Sequence, residues 1–172
     1  LFVLALEKEE ERAVALQGLA ECLYFLGKHT DAIQYAHEAL SLEPKSARAH
    51  LILSHSYVDN LDFKNGILEI QKALEIAPDM IDALSFMSGI YIAQNKIPEA
   101  LEILHKIFDV DKNNWVAHYN MGLIRQLEKS DRGAAKEFIL AYRLKPSIRP
   151  LVRLLETYSS QYSVWFVLIF SV

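Results

Sequence analysis

His50 and His118 stand 68 residues apart, and a pair of imidazoles is the beginning of a metal site. Metal ligands must converge within a few ångströms, and residues at the same place two repeat units apart lie well separated in a stacked array, so both read as packing or surface histidines. Asp109-Val110-Asp111-Lys112-Asn113 has the outline of a calcium loop. The glycine such a loop needs at its sixth place is Asn114, and the closing glutamate is Asn120, so the stretch reads as a turn. His37-Glu38 lacks the second histidine of a zinc-protease helix. There is no glycine-rich phosphate loop and no serine elbow. Cys22 is the single thiol and can close no internal disulfide. With no basic or histidine neighbour at helical spacing, it reads as core filler rather than a nucleophile. Glu9-Glu10-Glu11 reads as a solvated helix end. No catalytic residue, metal ligand or cofactor is expected.

The 172 residues are 52% apolar and 23% charged, enough to fold around a core. Twenty-two acidic residues against 18 basic ones do not make the basic surface that nucleic-acid binding wants. A lone cysteine fits a reducing compartment, so a cytoplasmic location is expected.

The elements that would position any site repeat. Pro44 and Pro78 are 34 residues apart, and Pro146 follows Pro78 by twice that interval, with Lys112 midway. With these as repeat position 32, four units follow without insertion: 13–46, 47–80, 81–114 and 115–148. Position 8 reads Ala20, Ser54, Ser88, Gly122, and position 20 reads Ala32, Gly66, Ala100, Ala134. Small residues there let two antiparallel helices approach closely. Position 7 (Leu19, Leu53, Met87, Met121), position 24 (Ala36, Ile70, Leu104, Phe138) and position 30 (Leu42, Ile76, Val110, Leu144) are expected to fill the space between hairpins. Positions 20, 24 and 27 share one helical face. Proline at position 32 stops the second helix. Gly27-Lys28-His29, Leu61-Asp62, Asn95-Lys96 and Lys129-Ser130 break each unit into two helices, with Asp62 and Ser130 as N-caps and Pro98 in a first turn.

These columns resemble the tetratricopeptide repeat family over residues 13–148. The resemblance implies an all-α fold, a right-handed superhelix of about four helical hairpins plus a C-terminal helix. Position 4 departs from the family's tryptophan (Leu16, His50, Leu84, His118), and position 11 ends on Arg125 after Leu23, Tyr57 and Tyr91. The family's first helices line a concave groove through positions 2, 5, 9 and 12, which also share one helical face. Mapped here, the groove takes Val14, Gln17, Glu21 and Tyr24; Arg48, Leu51, His55 and Val58; Asp82, Ser85, Gly89 and Ile92; and Val116, Tyr119, Leu123 and Gln126. Leu51, Tyr119 and Leu123 are expected to be partly exposed. Relatives that grip a C-terminal carboxylate use basic residues at set positions. Those positions hold Gln17, Glu21, Ile52, Asp82 and Phe86, so no such clamp is expected.

Residues 1–12 read as the tail of a preceding repeat's helix, and with no starting methionine the chain reads as a fragment. Residues 149–172 read as a C-terminal capping helix, with Leu151, Leu154, Leu155 and Tyr158 on one face, or as the start of a membrane segment. Val164 to Val172 is apolar, follows Arg143, Lys145, Arg149 and Arg153, and is too short to span a bilayer. The reading is therefore a non-catalytic scaffold that holds a peptide or helix of another protein in its groove. The alternatives are a recruiting module of a larger enzyme, and an assembly factor tethered to the cytoplasmic face of a membrane.

Overall fold

A computed structural model describes residues 2–147 and 149–157, with side chains from residue 8 onward. The described residues are helical and contain no strand. The helices are α1 (Phe2–Phe25), α2 (His29–Leu42), α3 (Ala47–Asp59), α4 (Phe63–Ile76), α5 (Ile81–Ala93), α6 (Ile97–Val110), α7 (Trp115–Leu127) and α8 (Asp131–Leu144), and 149–157 is helical as well. Residues 1–83 and 84–172 form two compact units. In the first, α1 packs on α2 and α3 on α4, with α3 also against both α1 and α2. In the second, α7 packs on α8 and on α6. The backbone of α1 runs unbroken through residues 12 and 13, so no loop separates the 1–12 stretch from the first repeat.

The turn inside each hairpin has one construction. Gly27, Leu61, Asn95 and Lys129 all occupy repeat position 15, and all have positive φ: 74°, 65°, 57° and 58°. The left-handed residue reverses the chain, and its amide closes the turn on a carbonyl three residues back (Leu61 N to Val58 O, 3.0 Å; Asn95 N to Ile92 O, 2.9 Å). Glycine and asparagine adopt this conformation cheaply; for Leu61 it costs roughly 1–2 kcal/mol. Asp62 caps α4 through its carboxylate, which accepts from Asn65 N at 3.2 Å. Ser130 stands at the N-cap of α8 without a side-chain capping bond. Ser46 and Asn114 cap α3 and α7, accepting from Ala49 N (3.3 Å) and Ala117 N (3.0 Å).

The small columns lie where the helices of each hairpin meet. Ala20, Ser54, Ser88, Ala32, Ala100 and Ala134 are fully buried. A Cβ on Gly66 would stand 2.5 Å from Val58 Cγ2, and Ser54 Oγ donates to the Gly66 carbonyl at 2.7 Å. Positions 24 and 27 are fully buried in all four hairpins. Position 30 is not the filler expected: Ile76 is 39% exposed, Val110 69% and Leu144 37%. At 100° per residue, position 30 lies about 90° off the stripe of 20, 24 and 27, so its side chain swings out toward water. Leu53 packs onto Ala20 and Ala36 of the preceding hairpin, together with Ile52. Leu19 and Cys22 occupy the same face of α1, where the described residues supply no preceding hairpin. Leu19 is 42% exposed, and Cys22 is exposed rather than core.

Candidate functional site

In residues 1–83, α1 carries Gln17, Glu21 and Tyr24 on one face, and α3 carries Arg48, Leu51, His55 and Val58 on the face beside it. Arg48 Nη2 donates to Glu21 Oε1 at 2.6 Å, joining the two helices. This hydrogen bond, with the charges of Glu21 and Asp82, holds the guanidinium pKa above its ordinary value against burial. The Tyr24 ring lies 5.4 Å from the His55 ring, tilted by 30°. Burial pushes the His55 pKa down, against the carboxylates of Asp59, Asp82 and Glu21. Gln17 Nε2 donates to Glu43 Oε2 at 3.1 Å. Val58 is half-buried, while Arg48 and Asp82 are exposed. Leu51 is 5% exposed, which corrects the expectation that it is accessible. It occupies the middle of a face where α1 and α3 lie side by side, and sinking its apolar carbon is favourable.

In residues 84–172 the same positions are less open. Ser85 and Ile92 are buried, so neither is an accessible groove residue. The Ser85 carbonyl accepts from Ser88 Oγ (2.8 Å) and from Asn120 Nδ2 (3.1 Å), tying α5 to α7. Gly89, Val116 and Leu123 are half-buried. Tyr119 is also half-buried, its ring 5.8 Å from Phe138, and it shares a side-chain hydrogen bond with Arg153. Gln126 Nε2 reaches Thr157 Oγ1 at 3.5 Å. The helix at 149–157 therefore rests on the fourth hairpin's inner positions, with Pro150 and Thr157 fully buried. Leu151 and Leu154 are half-buried, but Leu155 is 61% exposed and does not belong to the expected apolar face. Tyr158 and the apolar run Val164 to Val172 lie outside the described residues. Among the described residues, no helix is long and apolar enough to cross a membrane.

Residues 13–46 match the tetratricopeptide repeat profile. A likeness of fold covers most of the chain. Pseudomonas aeruginosa PilF superposes with a TM-score of 0.76 at 20% identity, covering 91% of this chain and 72% of its own. A thermophilic tetratricopeptide protein of Thermus thermophilus gives 0.78 at 19%, covering 87% and 82%. A chain of the APC/C Cut9–Hcn1 heterotetramer gives 0.80 at 16%, covering 88% and 31%. At such identities the likeness is one of fold: the chain has the all-α tetratricopeptide architecture. In sequence it resembles sperm-associated antigen 1 of Mus musculus and of Rattus norvegicus, 27% identical over 116 residues. That match takes in 67% of this chain and spans only 13% of those relatives. The tetratricopeptide fold generally serves as a scaffold for protein–protein interaction and is generally non-catalytic.

One buried device recurs in two of the hairpins and follows no local sequence motif. His50 Nδ1 meets Glu69 Oε2 at 2.6 Å, and His118 Nδ1 meets Glu137 Oε2 at 2.8 Å. Both pairs join position 4 of a first helix to position 23 of the second. In repeats one and three the same two positions hold Leu16 with Tyr35 and Leu84 with Ile103. The signal was present as a pairwise pattern: histidine at 4 goes with glutamate at 23, leucine with an apolar or aromatic residue. The histidines are thus hairpin fasteners, and His118 Nε2 also meets the Lys112 carbonyl at 3.0 Å. No group of three or more His, Cys, Asp or Glu side chains capable of holding a metal occurs among the described residues. Asp111 spends its carboxylate on Asn113 N and Asn114 Nδ2, within the turn.

Proposed function

We propose that this chain works by holding another protein, and that a peptide or helix of that protein lies along the first-helix faces of its hairpins, with no catalytic step. The observation that carries this is the face of α1 and α3. Tyr24, His55, Glu21 and Arg48 are gathered there from two helices, and none of them belongs to the buried stripe that holds the hairpins together. An aromatic–imidazole pair beside an ion pair offers apolar area and directional polar groups together, as partner-binding surfaces do. On the fourth hairpin the corresponding positions are Val116, Tyr119, Leu123 and Gln126, of which Tyr119 and Gln126 are already engaged by Arg153 and Thr157 of the helix at 149–157.

The test is capture of a partner by the full chain and by Tyr24→Ala/Arg48→Glu, beside the outer-face control Lys106→Glu. The expected result is loss of capture only in the first variant, with helicity unchanged by circular dichroism. Equal capture by all three would place the binding surface elsewhere.

A further inference from the structure

Within residues 1–83, α1 and α3 run parallel to each other and antiparallel to α2 and α4, so both hairpin turns emerge at the same end. Four large apolar side chains face solvent there. Phe25 is 76% exposed, Leu26 71%, Leu61 78% and Phe63 55%. Packed helices lie about 8–10 Å apart, which brings the two turns within side-chain reach of each other. Leu61 holds the left-handed backbone that Gly27, Asn95 and Lys129 also hold at the equivalent position, and of these four it alone sets a large apolar side chain in water.

We infer that this turn end docks a second copy of the chain, patch against patch, about a two-fold axis. Area supports this occupant. The four side chains leave on the order of 500 Å² uncovered, taking ~200 Å² for a large side chain. That is an apolar centre in proportion to the ~800 Å² per partner of a standard interface. Charge supports it too. The rim carries exposed Lys28, Lys64, Asp31 and Asp59, two of each sign, while the Asp62 carboxylate is taken by Asn65. A patch with a mixed rim can face itself with unlike charges opposed. Residues 1–83 hold 14 acidic against 7 basic residues, so two copies repel weakly at a distance. Physiological salt mutes that repulsion beyond about 8 Å. Self-association therefore tightens as salt rises, whereas docking of a strongly basic partner would weaken.

The experiment is sedimentation of the full chain over a concentration series, at low and high salt. A monomer–dimer equilibrium in the micromolar range is expected. Leu61→Asn should weaken it about tenfold, as a central apolar anchor does, while raising the monomer's thermal midpoint because asparagine tolerates the turn. Misfolding would not give these opposite signs. In a Cys22→Ser background, Leu61→Cys should cross-link under mild oxidation and Lys136→Cys should not. A chain that stays monomeric overturns the proposal. So does an association unchanged by Leu61→Asn with Phe25→Ser and uncross-linked at residue 61, which belongs to another surface.

Discussion

A methyl group on Gly122 would stand 2.5 Å from Phe138 Cε1 and 2.6 Å from Cδ1, and Phe138 is wholly buried. Gly122→Ala should therefore cost about 1–2 kcal/mol, overpacking outweighing the gain in helix propensity. A raised urea midpoint would show that the ring finds another rotamer. Gly18 is the contrast, with nothing within 4 Å of an added Cβ, so Gly18→Ala should stabilise by about 0.5–1 kcal/mol. At this scale the sequence is informative wherever a residue type recurs in a column. The small residues at positions 8 and 20 were legible because four hairpins need the same close approach. Cys22 was not, because a thiol's burial depends on a neighbouring hairpin that no local pattern reports. Leu51 and Ile92 were misjudged for a related reason: helical spacing assigns a face, but not how deeply neighbouring helices cover it.

Between the two helices of a hairpin, the His50–Glu69 pair poses an energetic question. The side chains are 10% and 8% exposed. Burial alone would raise the Glu69 pKa, but hydrogen bonds from Lys72 and His50, with their charges, outweigh it and hold the carboxyl below its ordinary value. A group whose pKa is lower folded than unfolded adds stability above the unfolded value and loses it on acidification. Stability should thus fall as pH drops below about 4.3. Glu69→Gln should flatten that acid limb in urea titrations, and an unchanged limb would remove Glu69 from the account. His50→Leu alone leaves a buried carboxylate held by Lys72 and should cost about 2–3 kcal/mol. His50→Leu with Glu69→Ile, copying the pair at Leu84 and Ile103, should return to within about 1 kcal/mol of the parent. A double variant no better than the single one would mean that repeat two cannot take its neighbour's packing. Helix bounds were legible at this scale, since the prolines and turn residues recur with the period. The caps at Ser46 and Asn114 were passed over because serine and asparagine recur in no column there. Position 30 was misassigned because apolar character was read without its angle about the helix axis.

Across the molecule, stability should be local. Each repeat in such an array leans mainly on its neighbours, so damage spreads little. In hydrogen exchange followed by mass spectrometry, Gly122→Ala should lower protection of α7 and α8 while α2 and α3 keep theirs. Uniform loss along the chain would mean a single cooperative unit. The all-α repeat architecture was legible because one pattern recurs along the chain, whereas the outward turn of position 30 and the exposure of Leu155 were not. The candidate binding face was legible only as a set of positions. Whether those positions stay open depends on coverage, as when the helix at 149–157 settles over Tyr119 and Gln126.

Look-alike hairpins carry a hazard of their own, since surfaces built on one pattern can stack in the wrong order during folding. Asn120 works against this. Its amide reaches both the Ser85 carbonyl and the Ser88 hydroxyl, at 3.1 Å and 2.7 Å, from a buried position. Slipped onto the first hairpin, α7 would set that amide against Ala20, where no hydroxyl waits. Stacking on the first hairpin would forfeit one of the two bonds, whereas Ser54 keeps a hydroxyl on the second; Asn120 thus acts as a proofreading contact against that one misorder, and a chain carrying Asn120→Leu should refold with more of that species even where its final stability is unharmed.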